Sequence, residues 1–374
     1  MRPRHGEGPL YADDDVCSYR GEVMSKLKGF GAACALVLAV SALLAGVCTG
    51  SARAGGVVFF IDAQHGWEST TDGASKATAW RTSNSGASWK QLATRPYAIT
   101  AGNGASGGFF AFATRSTGLW VCAGHTVLRT TNAGASWQSL PGVPGAGSPG
   151  GSWLSDASFA TTRVGWACSQ SGSSGLGGSI TKTSNAGASW HVQKRIAGTD
   201  QSGGFLQVSC PTASSCYVLG WGYKLGGLWA TADGGKHWTR RQLPSDVFST
   251  SIDFPTADSG WAVGYGGVMY ATTNGGRTWH NVDTGTGEDL KSVSFCSSKI
   301  GYAVGASGTV LRTTDAGATW VTLSDPGYDG MDYSEVQCVD ATHAWICAEY
   351  SGGTWVYVTS DGGNTWEENS IFLD

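Results

Sequence analysis

Thr272-Thr273-Asn274-Gly275-Gly276-Arg277-Thr278-Trp279 decides how this chain folds, because six near copies recur at 82–89, 130–137, 183–190, 231–238, 313–320 and 359–366. Each reads Thr, any residue, Asn or Asp, any residue, Gly, any residue, Ser or Thr, then Trp, with His237 the one departure. The tryptophans stand at 89, 137, 190, 238, 279, 320 and 366, so successive differences are 48, 53, 48, 41, 41 and 46 residues. A recurrence at that period marks a repeat architecture in which one supersecondary unit is copied around or along an axis. A second marker keeps the same register. A large or soft residue is followed seven positions later by an aromatic or Leu: Phe60 and Trp67, Phe112 and Leu119, Phe159 and Trp166, Cys210 and Tyr217, Phe254 and Trp261, Phe295 and Tyr302, Cys338 and Trp345.

The unit around the quoted stretch reads as four short strands. Ser251-Ile252-Asp253-Phe254 alternates, 255–259 turns, and Gly260-Trp261-Ala262-Val263-Gly264 is a second strand. Tyr265-Gly266-Gly267 turns again, 268–272 is a third strand, and 278–282 follows the box as a fourth. Short strands with short links make an antiparallel meander. Such a unit has two apolar faces and can bury neither alone, so copies stack face on face. The expected fold is all-β, a single seven-bladed β-propeller of four-stranded antiparallel blades over residues 55–374. Its blades are expected at 55–93, 105–142, 152–194, 203–244, 248–283, 289–324 and 332–373. Ring closure then rests on packing of the first blade against the last, unless Ile371-Phe372-Leu373 adds a strand.

Every box member has a structural task. The third-position residues Asn84, Asn132, Asn185, Asp233, Asn274, Asp315 and Asp361 can accept backbone N–H bonds within their own turn. Gly at the fifth position permits positive φ. The anchors Trp89, Trp137, Trp190, Trp238, Trp279, Trp320 and Trp366 pin each turn to apolar surface. Repeated amides and carboxylates spread around a ring do not build one active site.

The chain has 374 residues, 57 Gly, 17 Trp and only 14 % charged residues, a composition suited to small-residue turns between strands. Residues 55–200 carry 10 Lys and Arg against 5 Asp and Glu, a balance of +5, whereas 201–374 carry 8 against 18, a balance of −10. A two-signed body disfavours general nucleic-acid binding and suits an oriented protein contact. Residues 1–54 read as an N-terminal extension and export signal: Lys26 and Lys28, an apolar run over 30–47, then Ala52-Arg53-Ala54. Translation is expected to start at Met24 and cleavage to follow Ala54, leaving an extracytoplasmic (secreted, periplasmic or cell-envelope) monomer. An uncleaved segment anchored in the membrane is the alternative. Lipid attachment at Cys48 is disfavoured by the branched Val47 before it. Cys210 and Cys216 bracket a short loop, as do Cys338 and Cys347, and both pairs are candidate disulfides. No CxxC occurs, the histidines are dispersed, and glycine punctuates hairpins rather than opening helices, so no metal and no cofactor is expected.

These boxes and the Gly-Trp-Ala-Val-Gly strand at 260–264 resemble the Asp-box, or bacterial neuraminidase, repeat, over nearly all of 55–374. Proteins with that repeat include sialidases, xyloglucan hydrolases, the sortilin ectodomain and the photosystem II stability/assembly factor family. The close spacing and exported start are most similar to the last of these. That resemblance implies a non-catalytic scaffold binding another protein, membrane-associated or not, through an arginine-lined surface. Here the residue before each box is Arg81, Arg129, Lys182, Ala230, Ala271, Arg312 and Val358, so a basic arc of Arg81, Arg129, Lys182 and Arg312 is the candidate binding surface. Tyr328 and Tyr333, in a connector with Asp325, Asp329, Asp332 and Glu335, are a second candidate for a basic partner. Its spacing does not follow a calcium loop. Two alternatives remain open: a sialidase-like glycoside hydrolase and a glycan- or cell-surface-binding propeller. A hydrolase needs a carboxylate pair about 5–9.5 Å apart. Glu68, Asp253, Glu288, Asp289 and Glu349 could supply one, and nothing in the repeat selects it.

Overall fold

The computed structural model describes residues 57–71, 76–96, 108–122, 126–145, 152–171, 177–196, 204–222, 226–244, 249–327, 330–350 and 353–369. The expected export signal, the cleavage position and the 371–373 segment lie outside these residues.

Among the described residues, twenty-eight strands, β1 to β28, form four-stranded antiparallel meanders, each ending across one box. The first unit is β1 (Val57–Phe60), β2 (Gly66–Thr71), β3 (Lys76–Thr82) and β4 (Lys90–Pro96). The second is β5 (Phe109–Phe112), β6 (Gly118–Cys122), β7 (Thr126–Thr130) and β8 (Gln138–Ser139). The third is β9 (Ser152–Phe159), β10 (Gly165–Ser171), β11 (Gly178–Thr183) and β12 (His191–Ile196). The fourth is β13 (Gly204–Ser209), β14 (Cys216–Trp221), β15 (Gly227–Thr231) and β16 (Thr239–Arg241). The fifth is β17 (Ser249–Asp253), β18 (Gly260–Gly264), β19 (Met269–Thr272) and β20 (His280–Val282). The sixth is β21 (Leu290–Phe295), β22 (Gly301–Gly305), β23 (Val310–Thr313) and β24 (Val321–Thr322). The seventh is β25 (Tyr333–Cys338), β26 (Ala344–Tyr350), β27 (Gly353–Thr359) and β28 (Glu367–Glu368). Units three and four join into one eight-stranded sheet, because Gln170 of β10 pairs with Gly204 of β13.

Two local expectations are corrected. The fourth strand of unit five begins at His280 rather than 278, since the box consumes the residues before it. In the first unit, the sequence predicts an insertion, Ser69 to Thr78, between the second and third strands. Instead β2 runs on to Thr71 and β3 starts at Lys76, so the extra length is spent on a longer hairpin, with Ser69 opposite Ala79. Thr71-Asp72-Gly73-Ala74-Ser75 within it resembles a box without its Trp, and residues 72–75 lie outside the described residues.

Packing explains the seven-residue marker. The first marker sits at the end of the first strand or one residue past it, the second is the second residue of the next strand, and the second marker of one unit lies on the first marker of the following unit. Trp67 stacks on Phe112 with ring centroids 3.6 Å apart, Tyr217 on Phe254 at 3.7 Å, and Trp261 on Phe295 at 3.8 Å. Leu119 packs with Phe159, Trp166 with Cys210, and Tyr302 with Cys338 in the corresponding cores. The seventh unit also meets the first: Trp345 stacks on Phe60 at 3.8 Å within a core shared by Val58, Cys347, Val356 and Val358. Each such face removes large side chains from water at roughly 1.5–3 kcal/mol per residue. The glycine that precedes the second marker is a requirement of this packing. A Cβ on Gly260 would lie 2.3 Å from the Phe254 ring, and Gly66, Gly118, Gly165 and Gly301 meet the equivalent Phe in the same way.

Cys210 and Cys216 form a disulfide. Cys338 and Cys347 do not pair with each other. Cys338 faces the sixth unit and Cys347 the first, so the sheet lies between them.

Candidate functional site

The seven corners are built alike. In the box of unit five, Thr272 Oγ1 donates to Asn274 Oδ1 at 3.0 Å and accepts the Gly276 N–H at 2.8 Å. Asn274 Oδ1 also accepts the Thr278 N–H at 2.9 Å. The fourth residue is left-handed in every copy, including the non-glycines Ser85, Ala133, Ala186 and Ala316. The first-position Thr is therefore the hub of the turn, buried in all seven copies. Sequence reading credited the Asn or Asp and missed that hydroxyl, although its invariance across the copies was a visible signal. The box carboxylates are held below the ordinary range. His237 N–H donation does so most strongly at Asp233, while the Thr319 hydroxyl and the Thr365 N–H lead at Asp315 and Asp361, each brought to about 2.

The basic arc is drawn into the seams between units. Arg81 lies over the Trp67 ring at 5.9 Å, Lys182 over Trp166 at 4.6 Å and Arg312 over Tyr302 at 5.7 Å. The cations also reach the next unit, Arg129 and Lys182 at its box corner and Arg312 at the turn between its first two strands. Arg129 Nε donates to Ala186 O at 2.9 Å, Lys182 Nζ to Gly234 O at 2.6 Å, and Arg312 to Ala341 O at 3.2 Å. Arg241, which the sequence did not single out, makes the same contact to Gly275 O and lies over Tyr217 at 6.0 Å. Cation–π contact of this kind contributes about 0.5–2 kcal/mol. The arginines thus occupy separate seams, and do not converge on one point as a carboxylate-binding triad would require. Tyr333 is fully buried, with its hydroxyl donating to Asp325 and accepting the Gly327 N–H, so it is core rather than docking surface. Tyr328 lies outside the described residues.

A polar seam links the first strands of units three to seven and closes onto unit one. Apart from the single pairing of β13 with β10 at Gly204, those strands are sheet edges whose free N–H groups are a liability unless something caps them. Side chains of the preceding unit do so. Asp156 accepts from Val208 N at 2.8 Å, Gln207 from Ile252 N at 2.7 Å, and Asp253 from Phe295 N at 2.6 Å. Ser292 accepts from Val336 N at 3.2 Å and Ser294 from Cys338 N at 3.1 Å. Gln337 clasps Phe60 in both directions, accepting its N–H and donating to its carbonyl, each at 2.7 Å. Burial pushes Asp156 up to about 7 against its two N–H donors, and Asp253 to about 6. Burial, then the charge of Asp156, raises Glu335 to about 7. Asp253 was a hydrolase candidate. Both its oxygens are occupied, one by Phe295 N–H and one by the Ser209 hydroxyl, and Asp156 is likewise engaged at both. These carboxylates act as clasps between strands. Glu68 is buried with neither carboxylate oxygen partnered, and burial pushes it up to about 8. Glu288 is tied to the Ser307 hydroxyl and Asp289 to Gly266 N–H, both on exposed turns.

Residues 199–286 and 230–372 match the family model described as photosynthesis system II assembly factor YCF48. Residues 199–372 of this chain are thus similar to that BNR/Asp-box repeat family. YCF48 from Cyanidioschyzon merolae has a similar structure, with TM-score 0.58 at 16 % identity, covering 83 % of this chain and 94 % of that one. YCF48 bound to D1 peptide is similar at TM-score 0.53 and 17 % identity, over 70 % of this chain and 79 % of that one. The GH74 xyloglucanase from Xanthomonas campestris superposes at TM-score 0.60 and 15 % identity, over 87 % of this chain but 55 % of that one. At such identities the structural likeness establishes the fold alone. The search of curated proteins found no match.

Proposed function

We propose that residues 55–374 form a closed seven-bladed propeller that works outside the cytoplasm as a non-catalytic scaffold, holding a segment of another, membrane-associated protein. The carrying observation is the kinship with YCF48, one structure of which holds a D1 peptide. The fold does not separate scaffold from hydrolase, since a xyloglucanase shares it. The family match does, and the disposition of charged groups agrees with it. Asp156, Asp253, Arg129, Lys182 and Arg312 are spent on strand-to-strand and unit-to-unit contacts rather than aimed at a common point. Closure is supported by the Phe60–Trp345 stack, the Gln337 clasp on Phe60, and the bond from Trp89 Nε1 to Asn369 O at 3.3 Å. The export-like N-terminus and the Cys210–Cys216 disulfide support an oxidising, extracytoplasmic setting.

The test is a peptide array of extracytoplasmic segments from membrane proteins of the same cell, probed with the purified protein. It is run beside turnover assays on xyloglucan oligosaccharides and sialosides. Saturable binding to a discrete peptide set, without glycoside turnover, is expected. Turnover that vanishes on replacing one carboxylate, with no peptide bound, would establish the hydrolase instead.

A further inference from the structure

We propose that Cys296 and Cys338 are an oxidisable pair that can tie the sixth unit covalently to the seventh. The argument begins with the marker position. Five units place Phe there, and its ring fills the space over a glycine at the start of the next strand. Units four and seven place Cys210 and Cys338 there instead, opposite the Cβ-bearing residues Cys216 and Ala344. The smaller side chain leaves room that the ring would have filled. In unit four a disulfide between Cys210 and Cys216 occupies it. Ala344 offers no sulfur, and the Cys338 thiol finds one in the neighbouring unit, on the residue after Phe295.

The two sulfurs gather on one carbonyl, Cys296 Sγ at 3.6 Å and Cys338 Sγ at 4.0 Å from Ile300 O, and Cys296 packs against the core cluster that holds Cys338. Their environments differ in the way a reacting dithiol needs. Cys338 is buried, whereas Cys296 is partly exposed at the β21–β22 turn. The contact lowers the thiol pKa of Cys296 and raises that of Cys338, so Cys296 is the thiolate that attacks first. By contrast, burial raises the Cys168 thiol.

The oxidant is a disulfide of a dithiol protein or of glutathione. The Cys296 thiolate attacks one of its sulfurs, breaking that S–S bond and expelling a thiolate that takes up a proton. Cys338 then gives up its proton and attacks the Cys296 sulfur, expelling the second thiol. Two protein thiols are oxidised by two electrons, and one external disulfide is reduced to two thiols.

The purified full chain is incubated with glutathione disulfide, its remaining thiols are blocked, and non-reduced peptides are mapped by mass spectrometry. A Cys296–Cys338 cross-linked peptide with the loss of two blockable thiols is expected. It should be absent in Cys296→Ser, whose circular dichroism confirms folding, and retained in Cys347→Ser. In the reduced protein, iodoacetamide should alkylate Cys296 at least about tenfold faster than Cys338. A persistent Cys296–glutathione adduct, a cross-link from Cys338 to another cysteine, or no reaction under conditions that oxidise a control dithiol would overturn the proposal.

Discussion

Replacing Phe60 and Trp345 by leucine, singly and together, tests whether the first and last units touch in solution. The residues are 285 positions apart in sequence, by subtraction, yet each is 1 % exposed and their rings stack at 3.8 Å with planes 16° apart. Each single change should cost about 1–3 kcal/mol, because leucine keeps part of the buried volume beside Val58, Val356 and Val358. The stack itself should appear as a coupling of about 0.5–1.5 kcal/mol, the amount by which the double variant falls short of the sum. Urea unfolding of all four proteins, followed by far-ultraviolet circular dichroism, supplies the cycle. Both singles destabilising with a coupling within about 0.3 kcal/mol of zero would mean that the faces do not meet. The ring would then be open, and a closed propeller would be the wrong description.

Three further outcomes follow from the same geometry. Glu68 has its carboxyl pushed up to about 8 from an ordinary 4.5, so the unfolded chain ionises first and the folded state loses stability as pH rises through that window. Glu68→Gln should therefore be the more stable protein at pH 8, by up to about 4 kcal/mol, with the gap narrowing toward pH 5 in denaturation series. Gly260→Ala should cost about 1–3 kcal/mol by driving a methyl into the Phe254 ring, and the cost should shrink when Phe254→Ala is added. Asn274→Ala should cost about 1–2 kcal/mol by orphaning the Thr278 N–H, whereas Asn274→Asp should be near neutral, since Asp fills the same position in three other corners.

The repeat was legible because a turn is a local object. A Thr–Asn–Gly–Trp corner carries its own hydrogen bonds, so its residues announce it wherever it occurs, and strands of period two flank it. The fates of the charged residues were less legible. Arg81, Arg129, Lys182 and Arg312 form a basic arc in sequence register, but in space each lies along a seam, over an aromatic ring or against the next corner. That outcome depends on the neighbouring unit, which one unit's sequence does not describe. Asp156 was equally hard to pick out as a clasp, since alternation reveals which face a side chain takes but not what edge N–H group waits there. For cysteine, nearness in sequence was a good guide at Cys210 and Cys216. It misled at Cys338 and Cys347, where the sheet between them has two sides.

From the amino acids alone came the all-β class, the number of boxes and the register of the markers, because short-range turn chemistry and strand alternation act within a few residues. The tertiary structure alone decided that Trp67 lies on Phe112 and Trp345 on Phe60, that the basic residues bind seams, and that Cys338 faces Cys296. Those contacts form only when separate units are pressed face to face, and the burial driving that association has no direction of its own until shape selects the partner.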